Sequence, residues 1–108
     1  MRESVILAET RLQLSKRFMG MAVFWRNNVG VNLVSKVKYG LCNGSADLIG
    51  IVAPRGRFVA IETKGTGQQE QEQYLFECIV CNHGGVYAVV KSAEEACQVV
   101  QDVVDGKI

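Results

Sequence analysis

Residues 44–64 read Gly-Ser-Ala-Asp-Leu-Ile-Gly-Ile-Val-Ala-Pro-Arg-Gly-Arg-Phe-Val-Ala-Ile-Glu-Thr-Lys, and this stretch limits the fold more than any other. Two apolar runs of strand length flank a Pro-Arg-Gly turn, which predicts a hairpin with strands over 46–53 and 57–64. Asp47 opens the first run, and Glu62 and Lys64 close the second. Side chains alternate across a strand, so Glu62 and Lys64 share one face and Thr63 takes the other. Folding back at Arg55-Gly56 brings Asp47 to Glu62. Carboxylates at the ends of apolar, buried strands need a partner or a metal. Two of them with a lysine one step on can hold a hard divalent cation and orient a water for attack on phosphate. Acidic residues also cap strand ends in many chains, so the pattern carries weight only through its buried setting.

The chain around this hairpin reads in order as helix, strand, an irregular arm, the two hairpin strands, helix, strand, helix. Residues 3–19 predict a helix with Val5, Ala8, Leu12 and Met19 on one stripe and Leu7, Leu14 and Phe18 beside it. Met21 to Trp25 predicts a short strand. Residues 31–43 fit either a hairpin arm or an ordered loop. Gly65-Thr66-Gly67 breaks the second hairpin strand, and Gln68 to Asn82 predicts a helix ended by His83-Gly84-Gly85. His83 fits a cap on the last carbonyls of that helix. Val86 to Lys91 predicts a strand, and Ser92-Ala-Glu-Glu95 a capping box that starts the last helix.

The 108 residues suffice for one domain, 1–108, with one modest core. The formal net charge is +1, so nucleic-acid binding would need a local patch or a groove between subunits. No apolar run approaches the length of a membrane span, and Arg2-Glu3 before a polar-interrupted segment does not read as a secretory signal. Reduced thiols in a cytosol are therefore expected for Cys42, Cys78, Cys81 and Cys97. Cys78 and Cys81 form a C-x-x-C, but no second pair completes a zinc site, and a redox C-x-x-C normally opens a helix. A thiol-based zinc or redox module is thus a minor alternative.

The element order and the Asp47, Glu62-Thr63-Lys64 array resemble the PD-(D/E)XK nuclease superfamily. Within it the chain is similar to the VRR-NUC family (virus-type replication-repair nucleases), in particular its stand-alone phage and bacterial members. The resemblance rests on Arg2-Glu3-Ser4, Trp25-Arg26-Asn27-Asn28-Val29-Gly30, Gly44 to Gly50, Phe58 to Lys64, Gln73 with Phe76, and Gly84-Gly85. It implies a restriction-endonuclease-like α/β fold of three layers, with a central mixed sheet flanked by helices. It implies Mg²⁺ or Mn²⁺ held by Asp47 and Glu62, with Glu3 and the Thr63 carbonyl as further ligands. Lys64 would then orient the attacking water, and Gln73 would arrange the site. Two departures stand out: Ala46 replaces the family's proline, and Gln69-Glu70 replace its helix-capping serine. Glu9 competes with Glu3 as the acid of the first helix.

The function so implied is a structure-specific endonuclease of branched DNA such as four-way junctions, acting as a homodimer in a bacterial cell or phage-infected host. Arg26 and Asn27 are candidate backbone contacts, against a reading in which Trp25 is core and Asn27-Asn28 a turn. Lys36 and Lys38 are further candidates, against plain solvated charge. A catalytically silent DNA-binding or scaffold module on the same fold is the main alternative.

Overall fold

Four strands form one mixed sheet in the order β1-β4-β5-β6, where β1 is Ala22–Arg26, β4 Leu48–Val52, β5 Arg57–Thr63 and β6 Val86–Val90. The computed structural model describes residues 2–65 and 67–108, so the predicted break at Thr66 lies outside the described residues. Antiparallel pairing joins β1 to β4 and β4 to β5, while β5 and β6 run parallel. A parallel pair needs a crossover, and α2, Gln71–Asn82, lies within it. The irregular arm is a second, two-stranded ribbon of β2, Gly30–Val31, and β3, Lys38–Tyr39. Among the described residues, no helix is long and apolar enough to cross a membrane.

Strand alternation decides what each face meets. Leu48 and Val52 of β4, Val59 and Ile61 of β5, and Val86 and Val90 of β6 face the larger core. Two helices close it: α1, Glu3–Arg17, through Leu14 and the following Phe18, and α3, Ala93–Val104, through Ala96, Cys97, Val100 and Val103. Gly50 lies opposite Phe24, and a Cβ there would come within 2.5 Å of the Phe24 ring. The missing side chain is what lets that ring lie across the strand pair. The opposite face carries a smaller core of Ala46, Ala60, Phe76 and Val80, with Phe58 and Tyr87 against it. The molecule is therefore mixed α/β, with its sheet between α1 and α3 on one side and α2 on the other.

The helix caps follow local chemistry. Ser92 Oγ accepts from Glu95 N at 3.1 Å, while the Glu95 carboxylate takes Lys91 N rather than Ser92 N. His83 Nδ1 lies 2.7 Å from the Ile79 carbonyl, as a C-terminal cap should.

One expectation is corrected, and one of two open readings of Trp25 is removed. The buried stripe of α1 is Ile6, Thr10 and Leu14, not Val5, Ala8, Leu12 and Met19. A threonine in the middle of the true stripe hides it from a hydrophobicity count. Trp25 is 53% exposed and not core, because α2 packs over β5 and β6 and leaves the same face of β1 open.

The corrected helix face predicts a contrast. Leu14 is 3% exposed and Leu12 47% exposed. Leu14→Ala should cost about 2–5 kcal/mol of unfolding free energy, and Leu12→Ala under about 1. Urea unfolding of the two variants checks it; equal losses would restore the Leu12 stripe.

Candidate active site

The β4–β5 register pairs Leu48 with Ile61, so the next step places Asp47 against Glu62. The β1–β4 register pairs Arg26 with Leu48, so the same step places Asn27 on the other side of Asp47. Asn27, Asp47 and Glu62 thus form one row across the end of the sheet, just where the regular ladder stops.

Side chains take over there from strand carbonyls. Asp47 Oδ2 accepts from Thr63 N at 3.0 Å and from Thr63 Oγ1 at 2.8 Å. Thr63 is buried, and both of its donors are spent on holding this carboxylate. Asp47 Oδ1 and Glu62 Oε1 take part in none of these bonds. Glu62 Oε2 accepts from Gln73 Nε2 at 2.9 Å. Gln73 Oε1 in turn accepts from Glu70 N at 2.9 Å, the N-terminal cap position of α2. One amide therefore both starts the helix and fixes the carboxylate. The absence of a capping serine is made good by Glu70 and Gln73 themselves.

Glu62 is 5% exposed, and its carboxyl is pushed up to about 8. Burial is the largest cause, followed by hydrogen bonding with Asp47 and by the Asp47 charge. Lys64 pulls the other way, and Glu3 adds a further upward push. Both residues therefore lie within electrostatic reach of the pair. Glu9 instead accepts from Gln13 at 3.0 Å on the exposed side of α1. Between the two acids of the first helix, Glu3 is the one whose charge reaches the site.

The donor set suits a hard cation. Two carboxylates meet at the sheet end, Glu62 buried and Asp47 half-buried, and burial favours a proton on Glu62 whose charge a cation could replace. Among the described residues, no group of three or more His, Cys, Asp or Glu side chains gathers around a common point. Two carboxylates suffice for Mg²⁺, which keeps several waters and is bound through one or two carboxylates plus substrate phosphates.

The basic candidates separate. Arg26 ends β1, exposed and one register step from Asp47. Lys36 sits in the hairpin turn with φ +62, and Lys38 lines a cavity of about 510 Å³ between the ribbon and α2. Asn27, read as a nucleic-acid contact, is committed inside the protein: Nδ2 donates to Ser45 Oγ at 2.6 Å and to the Ala46 carbonyl at 2.9 Å, and Oδ1 accepts from Leu41 N at 3.1 Å.

Tyr87 lies on the same face, on β6 opposite Ala60. Its hydroxyl is shut off from solvent and, among the described residues, makes no hydrogen bond within normal geometry; the neighbouring Gln69 amide donates to Glu77 at 2.9 Å instead. Burial pushes the phenol up, and Glu62, Glu77 and Asp47 push it further. Alternation along β6 was its only sequence signal. Comparison with known proteins matched no family model and no curated protein.

The Glu62 carboxyl predicts a pH dependence. The native state holds a proton that the unfolded state has already lost, so metal-free stability should fall as pH rises from about 4.5 to about 8. Glu62→Gln mimics the protonated form and cannot lose a proton. Above pH 8 in EDTA it should melt higher than wild type, with the gap closing toward pH 5. Thermal unfolding across that window checks it; a variant that melts lower at every pH refutes burial as the cause.

Proposed function

We propose that the chain is a VRR-NUC nuclease of the PD-(D/E)XK superfamily, a divalent-metal-dependent endonuclease that hydrolyses phosphodiester bonds in branched DNA. The observation that carries this is the pair Asp47 and Glu62, converging at one sheet end with Lys64 in electrostatic reach and Gln73 bonded to Glu62. The family resemblance set out for Glu3, Asp47, Glu62, Thr63, Lys64 and Gln73 supplies the reading of these residues as one site.

The residues divide the work. Asp47 and Glu62 would hold Mg²⁺ or Mn²⁺ with the Thr63 carbonyl, while Glu3, which does not gather with them, would act on the site through its charge. When bound, the cation supplies an acidified water and stabilises charge on phosphate. Thr63 and Gln73 keep the two carboxylates aimed, which conserves geometry when the Glu62 proton leaves. Lys64 orients the nucleophile and offsets carboxylate charge. Arg26, Lys36 and Lys38 meet the DNA backbone around the site.

A homodimer completes this reading. Cutting two strands of a junction needs two sites, which a two-fold axis supplies. Leu33, Val34, Val37, Tyr39 and Leu41 on the ribbon and Leu75 and Ile79 on α2 are exposed. Apolar surface of that extent on a small domain marks an interface.

Asp47→Asn should abolish cleavage of labelled four-way junctions in Mg²⁺ while leaving the fold intact. Lys64→Ala should lower turnover about a hundredfold or more with little change in DNA affinity. A gel assay on duplex, flap, splayed-arm and four-way substrates with Mg²⁺, Mn²⁺ and EDTA checks both; cutting that survives EDTA sinks the site.

Sedimentation equilibrium at micromolar concentration should give a dimer. A clean monomer that still cuts junctions symmetrically refutes that part of the proposal.

A further inference from the structure

Asn27 is bonded to Asp47 and to the segment that leads into it. Its backbone N donates to the Asp47 carbonyl at 2.7 Å, the last cross-strand bond between β1 and the β4 side. If the β4–β5 ladder continued two steps beyond Leu48 and Ile61, Ala46 would face Thr63, by the same register. It does not continue. Asn27 Nδ2 takes the Ala46 carbonyl, and the Asp47 carboxylate takes Thr63 N in its place. The other Nδ2 hydrogen goes to Ser45 Oγ, which donates to the Cys42 carbonyl at 2.6 Å, and Asn27 Oδ1 receives Leu41 N. A single amide thereby fastens both ends of segment 41–46. The middle is held from the opposite side: Gly44, at φ +83, sits so close to α2 that a Cβ would come within 2.5 Å of the Glu72 backbone. Residues 41–46 are clamped between Asn27 and the turn of α2 that carries Gln73.

We infer that Asn27 is the positioning residue for Asp47, fixing the carboxylate on Thr63 by holding segment 41–46. Its consequence for metal binding rests on the nuclease reading, but the positioning itself does not. Groups that orient a ligand carboxylate typically matter about 10–100-fold in metal affinity.

The test uses the metal-free protein first. The Thr63 amide reports the Asp47 contact directly. In Asn27→Ala its hydrogen exchange should accelerate about tenfold relative to the Val59 and Ile61 amides of the same strand. Ser45→Ala removes one contact and should shift it the same way by less; it carries the test alone should Asn27→Ala not fold. Titration with Mn²⁺ should then show affinity weakened about tenfold in Asn27→Ala, with DNA affinity in Ca²⁺ unchanged. Thr63 exchange that stays in step with Val59 and Ile61 overturns the inference. So does lost DNA affinity with Thr63 exchange and Mn²⁺ binding intact, which would make Asn27 a DNA contact. A wild-type protein that binds no Mn²⁺, or binds it equally well as Asp47→Asn, sinks the metal site instead; Asn27 then stands or falls on Thr63 exchange.

Discussion

Burying one carboxylate against another is unfavourable, and much of the molecule near the sheet end answers that fact. The β4–β5 register sets Glu62 beside Asp47, and the adjacent registers are closed to the hairpin. A slip of one residue would turn Leu48, Val52, Val59 and Ile61 away from the main core. The apolar faces thus hold the acids together although the acids repel. A proton favoured on Glu62 by burial, the Lys64 charge and donors from Thr63 and Gln73 make the arrangement tolerable. A carboxyl pushed up by burial, as that of Glu62 is, is a kind of group that collects where chemistry is done.

The hairpin was legible because its signals are local: alternation, a Pro-Arg-Gly turn, and acids at the strand ends. The same holds for the caps at Ser92 and His83, each set by residues within four positions. The α1 face was misread because Thr10 is polar by type yet buried by position, while Leu12 and Met19 are apolar by type and exposed. The internal bonds of Asn27 were missed for a related reason. Asn-Asn after a strand reads as a turn or a polar contact, and its bonds to residues 41–46 depend on a ribbon whose pairing short segments do not announce. Lys64 could be grouped with the acids by strand alternation, Glu3 only by resemblance; the reach of both charges to Glu62 is a matter of three dimensions.

The two faces of the sheet are unequally served. Two helices pack on one side, and a single helix covers β5 and β6 on the other, leaving Val23, Trp25 and Ile51 exposed. Such an open face beside a basic strand end, next to an apolar ribbon, is where an extended ligand or a second subunit has room. The division between a sealed side that gives stability and an open side that carries the site separates two demands that a small core otherwise sets against each other.

The crossover helix joins those demands. Parallel pairing of β5 with β6 requires some connection, and this one places Gln73 on Glu62 and the Glu72 backbone against Gly44. Each α-helical residue advances the helix by about 100°. The spacing between Glu70 and Gln73 therefore sets which way Gln73 points, since the cap and the carboxylate share that one side chain. Deleting Gln71 would leave charge and strand pairing almost untouched, yet would swing Gln73 off the carboxylate. Drift in length is tolerated at most surface loops; here the count of residues is itself part of the site.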